Sequence, residues 1–208
     1  MQVKNPTKPQ TKSLPNPPPT VLILASGRGE RFLASGGTTH KLQALLAGKT
    51  VLQHTLDAVK ASGLPWHLED EDHLGMGDSI AAAVRKTSDA AGWLVLPADL
   101  PLIQPATLLR VAQALQTHPV VLPCYAGVGN TDVGNKNDKN DKNEPQRGHP
   151  VGFSAVCRQD LQNLSGNKGA AGVIIDYAAI KLIVDDVGMV TDIDTVDDLA
   201  QAEAILKS

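Results

Sequence analysis

Short apolar runs alternate with stretches of helical periodicity along most of the chain. Val21-Leu22-Ile23-Leu24-Ala25 is apolar throughout and stops at glycines, as a buried strand does. Val51, Leu52, Leu56 and Val59 carry helical spacing over 50–61, with Thr50 placed to cap it. A short strand is predicted at Trp66-His67-Leu68 and an alanine-rich helix over 79–86. Trp93-Leu94-Val95-Leu96 reads as a second buried strand running into Pro97-Ala98-Asp99. Pro105 opens a helix reaching about Gln116, a position where proline's fixed φ is no cost. Further strands are predicted at 120–122, 151–154 and 182–184, with helices over 155–164 and 169–179. Thr195-Val196-Asp197-Asp198 has the form of a capping box before a final helix ending near Lys207. Strands alternating with helices predict an α/β fold with a mainly parallel sheet and helices on both faces. In such sheets ligands sit beyond the carboxyl ends of the strands.

Two segments break the pattern. Residues 1–19 hold six prolines and little that is apolar, so they read as a disordered, Pro-rich tail before a domain spanning 20–208. Residues 127–147 contain five Asn, four Lys+Arg and four Asp+Glu without period, and read as a low-complexity inserted loop. Of the 208 residues, 42% are hydrophobic and 20% charged, with a net charge of −3. That balance gives no electrostatic footprint for nucleic acid or an anionic membrane. No apolar run reaches the roughly 18–20 residues of a membrane span. Lys4, Lys8 and Lys12 precede no hydrophobic stretch, so no secretory signal is expected. Two cysteines, Cys124 and Cys157, are too few for a disulfide framework and suit a reducing, cytoplasmic setting as small core residues.

The chemistry-bearing residues cluster at predicted strand ends. Gly27 and Gly29, after the first strand, let backbone N–H groups face an anion, and Arg31 adds a fork for phosphate oxygens. The segment is not a P-loop, which needs G-x-x-x-x-G-K-[ST], nor a dinucleotide fingerprint, because Phe32 stands where the third small residue belongs. A plain strand-to-helix turn is the competing reading. Asp99, just past a buried strand, is placed as a magnesium ligand or as a cap or turn residue for the segment starting at Pro105. If 192–194 is extended, Asp192 and Asp194 share one face; capping by Asp194 or Thr195 is the alternative. Gly75-Met76-Gly77-Asp78-Ser79 forms a second glycine turn opening a helix, either a ligand contact or a loop. His149, between Gly148 and Pro150, reads as a structural hydrogen-bonder or a site residue. The other five histidines show no metal-ligand spacing.

The order of these motifs, Leu22 to Arg31 with Lys41, Gly75 to Ile80, Pro97 to Pro101, Gly148 to Phe153 and Asp192 to Leu199, resembles the nucleotidyltransferases of molybdenum cofactor maturation, and the cytidylyltransferase branch in particular. The resemblance implies a Rossmann-like, GT-A-like three-layer α/β/α fold and transfer of CMP from CTP to molybdenum-bound molybdopterin. It implies that Gly27, Gly29, Arg31 and Lys41 hold the triphosphate and that Asp99, with Asp192 or Asp194, carries Mg²⁺. Leu24, Ala25 and Ser26, with the Gly75–Ser79 turn (Gly75, Gly77, Ser79), would face the base, and His149 the pterin acceptor. A molybdenum hydroxylase would be the downstream partner. The chain departs from the pattern in a longer spacer between Arg31 and Lys41, in a short 63–74 segment with room for one strand, and in Ala171 where the cytidylyltransferases often carry Arg. Alternatives in view are another nucleotide or phosphate acceptor, a non-catalytic maturation chaperone, and an NAD(P)-dependent oxidoreductase, the last disfavoured by Phe32.

Overall fold

The computed structural model describes residues 17–127 and 145–207. Most of the segment read as a tail, and most of that read as an inserted loop, lies outside these residues. The chain forms β1 (Thr20–Leu24), α1 (Glu30–Ala34), the small hairpin β2 (Leu45–Leu46) and β3 (Lys49–Thr50), α2 (Val51–Ser62), β4 (Trp66–Glu69) and α3 (Met76–Lys86). It continues through β5 (Gly92–Pro97), α4 (Pro105–Ala114), β6 (Val120–Tyr125), β7 (Gln146–Arg147) and β8 (Val151–Ser154). Last come α5 (Arg158–Gln162), α6 (Ala171–Asp176), β9 (Ile180–Ile183) and α7 (Val196–Lys207).

One sheet runs β4-β1-β5-β8-β6-β7, with β9 on the other side of β6. β1 is parallel to β4 and β5, and β6 to β9, whereas β8 is antiparallel to both its neighbours. β8 thus runs against the direction of the strands on either side of it. Period-two alternation splits the strand residues between two cores. Val21, Ile23, Leu94, Leu96 and Val121 pack with α2, α4 and α7, while Leu22, Trp93, Val95, Val120 and Leu122 pack with α3, α5 and α6. The three-layer arrangement expected from the pattern is therefore present. Cys124 and Cys157 are both buried in the second core. Among the described residues no helix is long and apolar enough to cross a membrane.

Several boundaries differ from the sequence reading. α3 begins at Met76, α6 is confined to Ala171–Asp176, and β9 begins two residues and ends one residue earlier than expected. The helix expected over 155–164 opens as a 3₁₀ turn at Ala155–Cys157 before α5. Gln146 and Arg147, assigned to the inserted loop, pair with Tyr125 and Cys124 as β7. Two polar residues carry no strand pattern of their own, so only the exposed edge of β6 recruits them. The caps follow the sequence more closely. Thr50 Oγ1 accepts from the Gln53 N–H at 3.1 Å. Thr195 and Asp198 form the expected reciprocal box, Thr195 N–H to Asp198 Oδ2 at 2.7 Å and Asp198 N–H to Thr195 Oγ1 at 3.2 Å.

Candidate active site

The ends of β1 and β5 are tied together, since the Ala98 N–H donates to the Leu24 carbonyl at 3.0 Å. Past β1 the chain turns sharply at Gly29, whose φ of 66° places it in the left-handed region just before α1. Phe32 on α1 is buried, which explains why an aromatic stands where a dinucleotide fingerprint needs a small residue. His40 then closes the loop. Its Nδ1 accepts from the Leu42 N–H at 3.3 Å, so Nε2 carries the proton and donates to the Gly27 carbonyl at 2.7 Å. The longer spacer is thereby folded back, and Lys41, opening a 3₁₀ turn with buried Leu42, still enters the site.

There the Lys41 Nζ lies 2.6 Å from Asp99 Oδ2 and 2.9 Å from Asp194 Oδ1. The Arg31 guanidinium reaches the other oxygen of Asp194 at 2.7 Å. Lys41 is 11% exposed and Arg31 76%, so one cation is enclosed and the other stands at the rim. Burial alone would lower the Lys41 pKa, but the two carboxylates outweigh it and hold the ammonium above its usual value. Burial pulls the Asp194 carboxyl upward; Lys41 and Arg31 reverse this and hold it below the usual range. The Ile193 N–H donates to the Asp99 carbonyl at 3.0 Å, which docks the 192–194 segment against the end of β5. Ile193 points into the core while Asp192 and Asp194 both face the cleft, the shared face expected of an extended segment. Asp192, on the exposed lip, is raised above the usual carboxylate range by the atoms packed around it and by its acidic neighbours. The competing readings hold in part: Thr195, with Asp198, caps the C-terminal helix, and Asp99 lies in a turn, but the first turn of α4 is held by Asp186 and not by Asp99.

These groups line one cleft of about 610 Å³. Leu24, Ala25, Ser26, Gly27, Arg31, Lys41, Gly75, Ser79, Asp99, His149, Asp192 and Asp194 all border it. Ser26 and Ser79 bridge its two glycine turns through a hydroxyl bond of 3.1 Å. Gly29 borders a smaller adjoining hollow beside Arg31. Gly77 corrects the sequence reading. It is buried beneath the cleft, its N–H bonded to the Gly166 carbonyl, and a Cβ there would lie 2.8 Å from the Ser165 carbonyl oxygen. Close packing of α3 on the 165–167 loop, rather than ligand contact, accounts for that glycine. On the opposite wall, the Gly148 N–H bonds to Pro123 and the His149 N–H to Met189. Burial holds the His149 imidazole below its usual pKa, against the pull of Asp99 and the Val95 carbonyl, and its Nδ1 has no partner in the protein.

Sequence reasoning missed three groups. His40 positions Lys41 but shows no signal beyond being a histidine. Arg147 and Gln146 join the cleft wall through β7. Glu69, at the end of β4, is fully buried and accepts from His67 at 3.2 Å, His73 at 3.1 Å and Lys86 at 3.0 Å. Burial works against its charge, and these three donors together keep its carboxyl below the usual range. Glu69, Glu71 and His73 bring possible ligand atoms within 4.8 Å of one another, although the histidine spacing suggested no such group. The Lys86 Nζ is already 3.0 and 2.9 Å from the two glutamates, so the cluster is a salt-bridge network. Asp99 differs. Its Oδ1 is buried without a partner at the cleft, and an unshared carboxylate oxygen among other hard oxygen donors suits Mg²⁺ or Mn²⁺.

The mixed sheet, the two glycine turns and the carboxylate–cation cluster at the strand ends define an α/β domain of the nucleotidyltransferase type. The family model described as a MobA-like NTP transferase domain matches residues 56–180, more than half of the chain, and the chain belongs to that family. The matched span includes the Gly75 turn, Asp99 and His149 but neither the first glycine turn nor Asp192 and Asp194. The bifunctional protein GlmU of Dechloromonas aromatica is 31% identical over 117 residues, which are 45% of this chain and 25% of that protein. The aligned part thus spans about a quarter of the length of the curated relatives it matches. Rv0371c of Mycobacterium tuberculosis H37Rv superposes with a TM-score of 0.69 at 22% identity, covering 92% of this chain and all of that one. Its manganese complex superposes at 0.64 and 21% identity, covering 89% and 97%. Molybdopterin-guanine dinucleotide biosynthesis protein A of Archaeoglobus fulgidus gives 0.56 and 17%, covering 90% and 98%. These structural likenesses establish the fold.

Proposed function

We propose that this chain is a magnesium-dependent nucleotidyltransferase that moves CMP from CTP to the phosphate of molybdenum-bound molybdopterin. The observation that carries the reading is Lys41 enclosed between Asp99 and Asp194 with Arg31 at the rim, all opening on one cleft. An acceptor phosphate oxygen bonds to the α-phosphorus, the α–β phosphoanhydride bond breaks, and its electron pair leaves on pyrophosphate. Both reactants are anions, so the site must offset their repulsion and stabilise the leaving group, and no protein nucleophile is needed. Lys41 and Arg31 supply fixed positive charge for the triphosphate. Gly27 and Gly29 leave room for it at the end of β1. Leu24, Ala25 and Ser26, with Gly75 and Ser79, form the wall assigned to the base. Asp99, with Asp192 or Asp194, would hold Mg²⁺, which when bound neutralises phosphate charge and polarises the reacting phosphorus. His149, on the wall assigned to the pterin acceptor, is held below its usual pKa by burial, and its buried Nδ1 has no partner in the protein. The family's MobA-like description and the molybdopterin-guanine dinucleotide protein among the structural neighbours support the acceptor; the cytidylyltransferase-like motif order supports the nucleotide. We place the reaction in the cytoplasm, with a molybdenum hydroxylase receiving the product. Burial, then Asp160, pushes the Cys157 thiol up to about 11, in keeping with a packing role.

Thermal unfolding with Mg²⁺ against CTP, GTP, ATP, UTP and NADPH tests the donor. A ligand at about 100 times its dissociation constant adds roughly 2.7 kcal/mol to the native state. A chain this long then melts about 5–10 °C higher. A Mg²⁺-dependent shift with CTP, followed by pyrophosphate release that requires molybdopterin, is expected. A shift with another nucleoside triphosphate alone would change the donor, and one with NADPH alone would overturn the reading.

A further inference from the structure

We infer that Lys41 is a stand-in cation for the metal, so that a divalent ion enters only with a nucleotide whose phosphates draw Lys41 and Arg31 off the carboxylates. The inference rests on the nucleotidyltransferase reading and specifies the order of events in that site. Asp99 and Asp194, two of the residues that would hold the ion, each give one oxygen to a single ammonium, at 2.6 and 2.9 Å, so Lys41 fills the place between them. Oxygen ligands of Mg²⁺ lie at about 2.0–2.1 Å, so the ion and the ammonium cannot share that place. The remaining oxygen of Asp194 is held by Arg31, and that of Asp99 has no partner. Of the basic residues that line the cleft, Lys41 and Arg31 pair with these carboxylates, and of the two only Lys41 is enclosed. An ion arriving alone would strand this nearly buried ammonium beside a second positive charge, a heavy desolvation and repulsion cost. An ion arriving with a triphosphate faces no such cost, because the phosphate oxygens give Lys41 and Arg31 new partners in the same cleft. Metal and nucleotide affinities are then coupled, and the coupling is reciprocal.

The test uses Mn²⁺ alone as the probe, with free ion followed by its electron paramagnetic resonance signal as full-length protein is added. Lys41→Met is expected to bind Mn²⁺ about 5- to 150-fold more tightly than wild type, the usual range of a coupling between sites. Adding Asp99→Asn to that variant should abolish the gain. Lys41→Gln, which keeps a donor for one carboxylate, provides the same reading if Lys41→Met folds poorly, and thermal unfolding reports whether each variant is folded. In parallel, wild-type unfolding is followed with CTP, Mn²⁺ and both together. A gain in the variant, with a wild-type shift only when both are present, supports the exchange. Folded variants that bind Mn²⁺ no better than wild type, while CTP with Mn²⁺ still shifts wild type, overturn the stand-in role and leave the functional reading intact. A gain in the variant with no nucleotide shifting wild type makes Lys41 a structural counter-ion and overturns both the exchange and the nucleotidyltransferase reading.

Discussion

Replacing Asp186 should destabilise the whole domain, although this residue touches no reacting group. Its carboxylate is 3% exposed and joins two distant parts of the chain. Oδ2 accepts from the Gln104 N–H at 3.0 Å and from Thr107 Oγ1 at 2.6 Å, which satisfies the first turn of α4 from outside the helix. Oδ1 accepts from the Gly188 N–H at 2.9 Å and starts the 3₁₀ turn Val187–Val190. That turn contains Met189, whose carbonyl holds the His149 N–H. Hydrogen bonds to a charged group contribute about 1.5–3 kcal/mol each, and donors left buried without an acceptor add their own penalty. The three bonds share one carboxylate and are not additive, so Asp186→Ala should cost on the order of 4 kcal/mol, a large part of the 5–15 kcal/mol typical of a domain. At about 2–4 °C per kcal/mol this lowers the melting temperature by roughly 8–16 °C. Asp186→Asn keeps one acceptor oxygen and should cost about half as much. Urea unfolding of wild type and both variants measures the difference. A loss below about 1 kcal/mol for Asp186→Ala would show that water replaces the carboxylate, contrary to its burial.

Two further predictions concern the cluster itself. Asp99→Ala should leave the fold intact while lowering turnover by about 10² or more, the scale of losing one electrostatic group; near-normal pyrophosphate release would remove Asp99 from the site. The clamp also has a defined pH window. Lys41 is raised above 10.5, so its contribution is full below that value and is lost as pH rises through the folded one; Asp194 is lowered below 3.8, so its contribution is full above that value and is lost as pH falls through the folded one. The stability gap between wild type and Lys41→Gln should therefore be flat from about pH 5 to 9 and narrow outside it, and a gap that peaks within that range would contradict the pairing.

Much of the architecture was legible because it depends on periodicities that are local. The runs at 21–25 and 93–96 are apolar on both faces because helices cover both sides of the sheet, and the Thr195–Asp198 box lies within four residues. Local pattern also placed Asp192 and Asp194 on one side, since an extended segment alternates its side chains. Gly77 misled because a glycine that opens a helix near a ligand and one crowded by a neighbouring loop look alike in one dimension. Only the position of the 165–167 backbone separates them.

Everything that depends on contacts far apart in sequence was decided by the tertiary structure. Fifty-eight positions separate Lys41 from Asp99 and 153 separate it from Asp194, so no window along the chain shows one ammonium between two carboxylates. His40 on Gly27 and Asp186 on α4 are invisible for the same reason, as is Lys86 on buried Glu69. The sequence alone determined the longer strands and helices and which strand ends carry reactive side chains, because burial and capping act over a few residues, whereas the two-residue strands β2, β3 and β7 exist only through their pairing. Which of those side chains meet, and at what charge, follows only from the order of strands in the sheet, which brings the ends of β1, β4 and β5 side by side.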